Sequence, residues 1–235
     1  MKKIMILFLS VLTAVTLALT GCSGSDNAAE EQKDQKEGSV IDYMVLVDKE
    51  NPLPDGWEEA LDITTITNSV GDEVQVESKA YEAYLGLSEA LEKEGIHTEL
   101  DSAYRSVEAQ QKIVDEFTEK YGEDYVKQYV AVPGYSEHHT GLALDLYLIV
   151  DGKTVYENED LVQYPEIWAK IWEKLPDYGF ILRYPEGKED ITGYSFEPWH
   201  IRYIGSAETA REIMDNNITL EEYLGAVPSE EAEAA

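Results

Sequence analysis

Leu142, Leu144, Leu146 and Leu148 alternate with Ala143, Asp145, Tyr147 and Ile149. A period of two is the signature of a strand, with the leucines on one face against a core. Asp145 then faces the other way, in the middle of an otherwise apolar run. A carboxylate is costly to bury unpaired, so this one needs a partner. A metal would satisfy it, and so would an arginine.

The residues just ahead of the strand are Ser136-Glu137-His138-His139-Thr140-Gly141. The chain has only four histidines. His97 reads as structural, and His200 closes the distant stretch Phe196-Glu197-Pro198-Trp199-His200. Two histidines and one carboxylate can supply the three protein ligands of a catalytic zinc, leaving the fourth position to water. Glu197 would then be a carboxylate within reach of that water. His138 and His139 point in opposite directions in an extended chain, so one of the two is the expected ligand, and spacing leaves open which. Glu197 and His200 have an odd offset and cannot share one side of an undistorted strand. Pro198 between them makes a bend plausible.

Length and composition place this stretch in a wider frame. Lys2 and Lys3 precede the apolar run from Ile4 to Leu19, an n-region followed by an h-region. Leu19-Thr20-Gly21-Cys22 looks like a lipobox, in which the cysteine is lipidated. Residues 1–21 are therefore expected to be a lipoprotein signal peptide, with lipidation at Cys22. Two acyl chains are enough for stable anchoring to the outer face of a bacterial cytoplasmic membrane. Cys22 is the single cysteine, which excludes disulfides and cysteine-ligated zinc from the exported domain. Residues 22–40 are small, polar and charged, without an aromatic, and read as a disordered tether. Residues 228–235 read as a flexible acidic tail. The segment 41–227 between them is long enough for one domain with its own core. A net charge of −30 speaks against nucleic acid as a partner, since that needs a basic face.

Elements follow from periodicity and punctuation. Tyr43–Val47 and Glu73–Glu77 read as short strands or extended segments. Ser78 is placed to cap a helix with Tyr81, Tyr84, Leu85 and Leu91 on one face, ended by Gly95. His97–Arg105 looks extended. Ser106 starts a helix with Ile113, Val114 and Phe117 apolar, closed near Gly122. Pro165 opens a helix carrying Ile167, Trp168, Ile171, Trp172 and Leu175, which stops at Pro176. Tyr178–Tyr184 and Trp199–Ile204 read as strands, and Ser206–Met214 as a helix. Thr219-Leu220-Glu221-Glu222 fits a capping box for a last short helix ending at Gly225. The mixed order predicts an α+β domain, a small antiparallel sheet flanked by helices.

Ser136-x-His138-x-x-Gly141-x-Ala143-x-Asp145, followed by Glu197-x-x-His200, resembles the VanY-type zinc D-alanyl carboxypeptidases of the M15 peptidase group. The likeness extends to Leu46–Lys49 with Asn51–Pro54, to Ser102–Ser106 with Gln110, to Tyr178–Pro185, to Thr192–Tyr194 and to Glu197–Tyr203, covering about residues 43 to 224. It implies a hedgehog/D,D-peptidase-like fold and one zinc ion per chain held by His138, Asp145 and His200. It implies Glu197 as the catalytic base, and His139 where the family commonly has glutamine. It assigns Arg105 to the terminal carboxylate of the substrate, with Gln110 and Ser136 as lesser polar contacts. Arg183 and Arg202 read as structural or as supports for the site. Ala103 departs from the family's usual glycine. The implied activity is removal of a terminal D-alanine from peptidoglycan stem peptides, D,D-carboxypeptidase ahead of L,D-carboxypeptidase, by a monomer anchored in the cell envelope. The alternative is a non-catalytic peptidoglycan-binding lipoprotein on the same fold, which would have lost a ligand or the base.

Overall fold

The computed structural model describes residues 41–227, the side chains of residues 128 and 129 excepted. The expected signal peptide, Cys22, the tether and the acidic tail lie outside the described residues.

Among the described residues, seven strands form two antiparallel sheets. The smaller is a hairpin of β1 (Ile63–Thr67) and β2 (Glu73–Glu77). The larger has the order β3-β4-β7-β6, with β5 on the far part of β4. Its strands are β3 (His97–Ser102), β4 (Ala143–Val150), β5 (Lys153–Val155), β6 (Phe180–Leu182) and β7 (His200–Tyr203). Every pairing is antiparallel, as the mixed element order predicts. The helices are α1 (Ser78–Glu92), α2 (Val107–Tyr121), α3 (Glu123–Tyr129), α4 (Asn158–Leu161), α5 (Pro165–Lys174), α6 (Glu189–Thr192), α7 (Ala207–Asp215) and α8 (Leu220–Leu224).

β4 is the central strand, and its alternation does what the sequence requires. Leu142, Leu144, Leu146 and Leu148 are all essentially buried and belong to one core with Leu87, Leu91, Trp168 and Ile171. Each such side chain removed from water contributes about 1.5–3 kcal/mol. The other face of β4 carries Ala143, Asp145 and Tyr147 toward the polar side of the sheet.

Three expectations shift. The cap of α1 is Glu77, whose carboxylate accepts from the Ala80 N–H at 2.8 Å, so Ser78 is the first helical residue. Its buried face is Ala80, Tyr84, Leu87 and Leu91, whereas Leu85 is half exposed. Tyr43–Val47 forms no strand. Arg202 Nη2 donates to the carbonyls of Tyr43 at 3.0 Å and Val45 at 2.7 Å, so a side chain takes the place of a neighbouring strand. The capping box at Thr219 is present in full.

Candidate metal centre

β4 and β7 pair so that Ala143 opposes Arg202, Leu144 opposes Ile201 and Asp145 opposes His200. Asp145 and His200 are therefore on the same face, opposite the leucine core. His200 Nδ1 lies 3.0 Å from Asp145 Oδ1. The turn at Pro198-Trp199 ahead of β7, with the His200 N–H donating to the Glu197 carbonyl at 3.3 Å, supplies the bend that the odd spacing demands. It brings a Glu197 carboxylate oxygen to 3.5 Å from His200 Nδ1.

His138 arrives from the short 3-10 turn Glu137–Thr140. Gly141 ends that turn with φ +71°, a left-handed conformation that favours glycine. A Cβ there would also come within 3.3 Å of the Glu77 Cβ. The reversal lets the chain pass directly from the turn into β4. His138 Nε2 reaches Asp145 Oδ2 at 3.2 Å, and its ring meets that of His200 edge-on at 5.1 Å.

His138, Asp145 and His200 each offer one ligand atom, and these atoms lie within 4.8 Å of one another. The second nitrogen of each imidazole is held. His138 Nδ1 faces the Ala103 carbonyl at 2.7 Å, and His200 Nε2 faces Glu137 Oε2 at 3.1 Å. An outward N–H on each ring leaves the inward nitrogen with a lone pair, the arrangement that ligating histidines use. Asp145 Oδ1 is buried and has no hydrogen-bond partner, although His200 Nδ1 lies 3.0 Å away. A buried orphan oxygen between two imidazoles fits a cation. The donor set, two nitrogens and a carboxylate oxygen with room for water, suits zinc.

His139 is not part of this group. Its Nε2 accepts from the Gly134 N–H at 3.0 Å and its Nδ1 faces the Arg105 carbonyl at 2.6 Å. Both nitrogens are thereby engaged, and the ring ties the loop before the turn to the loop bearing Arg105. Neighbours with opposite directions thus have opposite tasks.

The electrostatics follow from burial and proximity. Burial opposes ionisation of Asp145, but the two imidazoles hold its carboxyl well below the usual range. Burial pushes His138 down. His200 is pushed up to about 10, since Asp145 and Glu137 outweigh its burial. Glu197 moves the other way. Burial first, then the Asp145 and Glu137 carboxylates, push it up to about 7, against the pull of His200 and Arg105.

A cleft of about 350 Å³ opens over these groups, with Arg105, Gln110, Ser136, Tyr184, Tyr194 and Glu197 in its wall. Arg105 Nη1 donates to Gln110 Oε1 at 3.0 Å and Nη2 to Ser102 Oγ at 3.1 Å. Gln110 Nε2 donates to the Ala131 carbonyl at 2.8 Å. Gln110 is buried, so its amide acts first on Arg105 and the neighbouring loop. A larger groove, about 960 Å³, runs between α1, β3 and the β1–β2 hairpin and contains none of these residues. Volume is the weaker guide here, because chemistry needs convergent polar groups.

The residue that sequence reasoning missed is Glu137. It is buried beneath the site, where Arg183 Nε at 2.7 Å and Arg202 Nη1 at 2.6 Å donate to its Oε1. In the sequence it is one acid among many, and its pattern gives no sign of burial. The signal available was indirect: Arg183 and Arg202 both fall in apolar stretches of the sequence and need carboxylate partners.

Residues 73–206 match the family VanY, D-alanyl-D-alanine carboxypeptidase. YodJ of Bacillus subtilis is 38% identical over 184 residues, 77% of this chain and 66% of YodJ. A D-alanyl-D-alanine carboxypeptidase of Enterococcus faecalis is 35% identical over 205 residues, 83% of this chain and 69% of that protein. The chain thus spans about two thirds of the length of these relatives. Among solved structures, the D,D-pentapeptidase VanY from a VanB-type vancomycin-resistance cassette, in complex with Zn(II), superposes with a TM-score of 0.63 at 34% identity, covering 77% of this chain and 98% of that one. The LD-carboxypeptidase LdcB superposes with a TM-score of 0.68 at 36% identity, covering 78% of this chain and 86% of that one. With residues 73–206, more than half of its length, matched by the family and with relatives of 35% and 38% identity, the chain belongs to the VanY family of D-alanyl-D-alanine carboxypeptidases.

Proposed function

We propose that this protein is a zinc-dependent carboxypeptidase that removes the terminal D-alanine from peptidoglycan stem peptides. The observation that carries the reading is the convergence of His138, Asp145 and His200, with Glu197 beside them in a cleft whose wall holds Arg105. A bound zinc ion would polarise the scissile carbonyl and lower the pKa of its water toward neutrality. Glu197 is the general base: it takes a proton from the attacking water and hands it to the leaving amine. Arg105 binds the free carboxylate of the substrate, because a guanidinium can grip a carboxylate in two places. Ser136, buried in the cleft wall, is a lesser polar contact, and Gln110 holds Arg105 in place.

The D,D-activity on pentapeptide ends is the first reading. A structure related at similar identity binds D-alanine-D-alanine. The L,D-activity on tetrapeptide ends is the second, favoured by the similarity to the LD-carboxypeptidase LdcB. The protein works as a monomer on the outer face of the cytoplasmic membrane, held by lipid on Cys22. The lipobox-like Leu19-Thr20-Gly21-Cys22 supports that placement.

Incubation of the purified protein with defined tetra- and pentapeptide muropeptides tests the reading. D-alanine release that stops with chelator, returns with zinc and is lost in Glu197→Ala is expected. No release from either peptide would overturn it, and the preferred peptide decides between the two specificities.

A further inference from the structure

Beneath the cleft lies a cluster of four buried charges, Glu137, Arg183, Arg202 and Glu221, each with a side chain no more than 1% exposed. Glu137 Oε1 accepts from both arginines. Arg183 turns its two remaining nitrogens to Glu221 on α8, at 3.0 and 2.6 Å, a bidentate grip. Arg202 completes its set on backbone carbonyls of Tyr43, Val45 and Tyr203. The two positive and two negative charges cancel, and every guanidinium nitrogen is satisfied.

Such a cluster is weak support for stability, since apolar residues of the same volume often do as well or better. What it does fix is direction. Glu137 Oε1 is held by two cations, one just past the end of β6 and one on β7, which leaves Oε2 aimed at His200 Nε2 at 3.1 Å. An N–H on Nε2 puts the lone pair of His200 on Nδ1, the nitrogen that faces Asp145. A ring flipped about its long axis would lose the Glu137 contact and present carbon to the cation. α8 lies outside residues 73–206, the part that matches the family, and so does the segment of Tyr43 and Val45.

We propose that Glu137 is a positioning residue that sets the orientation of His200 toward the metal, and that Glu221 holds Glu137 in that role through Arg183. The C-terminal helix α8 is then a remote part of the metal centre. This rests on the reading of His200 as a ligand.

The test is metal affinity in the full chain, by competition with a chromogenic chelator for Zn²⁺ and by the visible spectrum of the Co²⁺ form. Wild type against His200→Ala comes first. If wild type binds no zinc, or His200→Ala binds it as tightly, the ligand reading fails and this inference fails with it. With that reading upheld, Glu137→Gln is expected to weaken zinc binding by about 10- to 100-fold, the usual effect of losing an outer partner of a ligand. Glu221→Gln is expected to weaken it in the same direction, by less, with a shifted Co²⁺ spectrum. Glu222→Gln is the control. It sits on the same helix, pairs with Lys188 at 2.9 Å, and is expected to leave affinity unchanged. Wild-type zinc affinity and Co²⁺ spectrum in both Glu137→Gln and Glu221→Gln would overturn the proposal. So would an equal loss in Glu222→Gln, which would mean that any loosening of α8 suffices. If Glu137→Gln does not fold, Glu221→Gln decides alone. If that variant does not fold either, the cluster serves the fold rather than the metal, and the proposal is overturned.

Discussion

Asp145 and His200 are direct cross-strand partners in the antiparallel pair β4–β7. Directly opposed residues on one face keep their Cβ atoms about 4.5–5.5 Å apart. Two of the three candidate ligands are thus spaced by the sheet ladder, and only His138 depends on a turn. Sites built on regular elements hold geometry better than sites on loops. The leucines on the reverse of β4 anchor the same ladder in the core, so the packing that stabilises the domain also places the candidate ligands.

Zinc should therefore stabilise the folded chain through these residues. At free zinc about 100 times its Kd, linkage gives about 2.7 kcal/mol, or about 5–10 °C in Tm for a domain of this size. Asp145→Asn removes the carboxylate charge but keeps the shape. Its Tm is expected to be unmoved by the same zinc concentration in differential scanning calorimetry. A zinc shift as large as in wild type would place the metal elsewhere.

Glu197→Gln separates binding from chemistry. The variant is expected to keep zinc affinity within a few-fold and to lose about 10²–10⁴ in kcat, the usual share of a general base. Burial pushes the Glu197 carboxyl up to about 7 in the metal-free protein. A bound divalent cation favours the carboxylate and pulls it back down. The base works deprotonated, so kcat/KM falls as pH drops through its pKa. The acid limb of wild type is expected below pH 7, and an acid limb that survives in residual Glu197→Gln activity would assign it to another group.

The large elements were legible in the sequence because their signals are local. Leucine alternation marks β4, Ser106 and Gly122 bound α2, and the capping box marks α8. His138, Asp145, Glu197 and His200 could be picked out because each is a rare residue type in an apolar or punctuated setting. What stayed hidden depends on long-range contacts. β1 has little apolar pattern and exists by pairing with β2. Tyr43–Val47 has a strand-like pattern but lies against Arg202 rather than a strand. Glu137 looks like any acid of a very acidic chain until the residue after β6 and the middle of β7 bring two arginines to it.

Arg105 and Gln110 are expected to act as one unit. The Gln110 side-chain carbonyl accepts from the guanidinium, and the Gln110 side-chain N–H donates to the Ala131 carbonyl. Arg105→Ala should raise KM for pentapeptide at least tenfold, because a charge-assisted contact contributes about 1.5–3 kcal/mol. Gln110→Ala should raise it less, and in the Arg105→Ala background should add little. Full additivity in this double-mutant cycle would show that Gln110 meets the substrate on its own account.

The buried carboxylate of Glu137 gives the chain a pH signature of its own. Although burial alone would raise it, Arg183 and Arg202 beside it, with His200, hold the carboxyl far below its ordinary range. A depressed folded-state pKa means that the unfolded chain takes up this proton first. The stabilisation is therefore complete above the unfolded value, about 4.3, and is lost as pH falls below it toward the folded value. Glu137→Gln leaves two buried arginines without their shared counter-charge, which costs about 3 kcal/mol when a buried pair is broken. Urea unfolding of the metal-free proteins is expected to show that gap near pH 7 and a smaller one near pH 3, where wild type has begun to lose its own ion pairs. A gap that stays constant from pH 7 to pH 3 would mean that the charge of Glu137 contributes nothing that its shape does not.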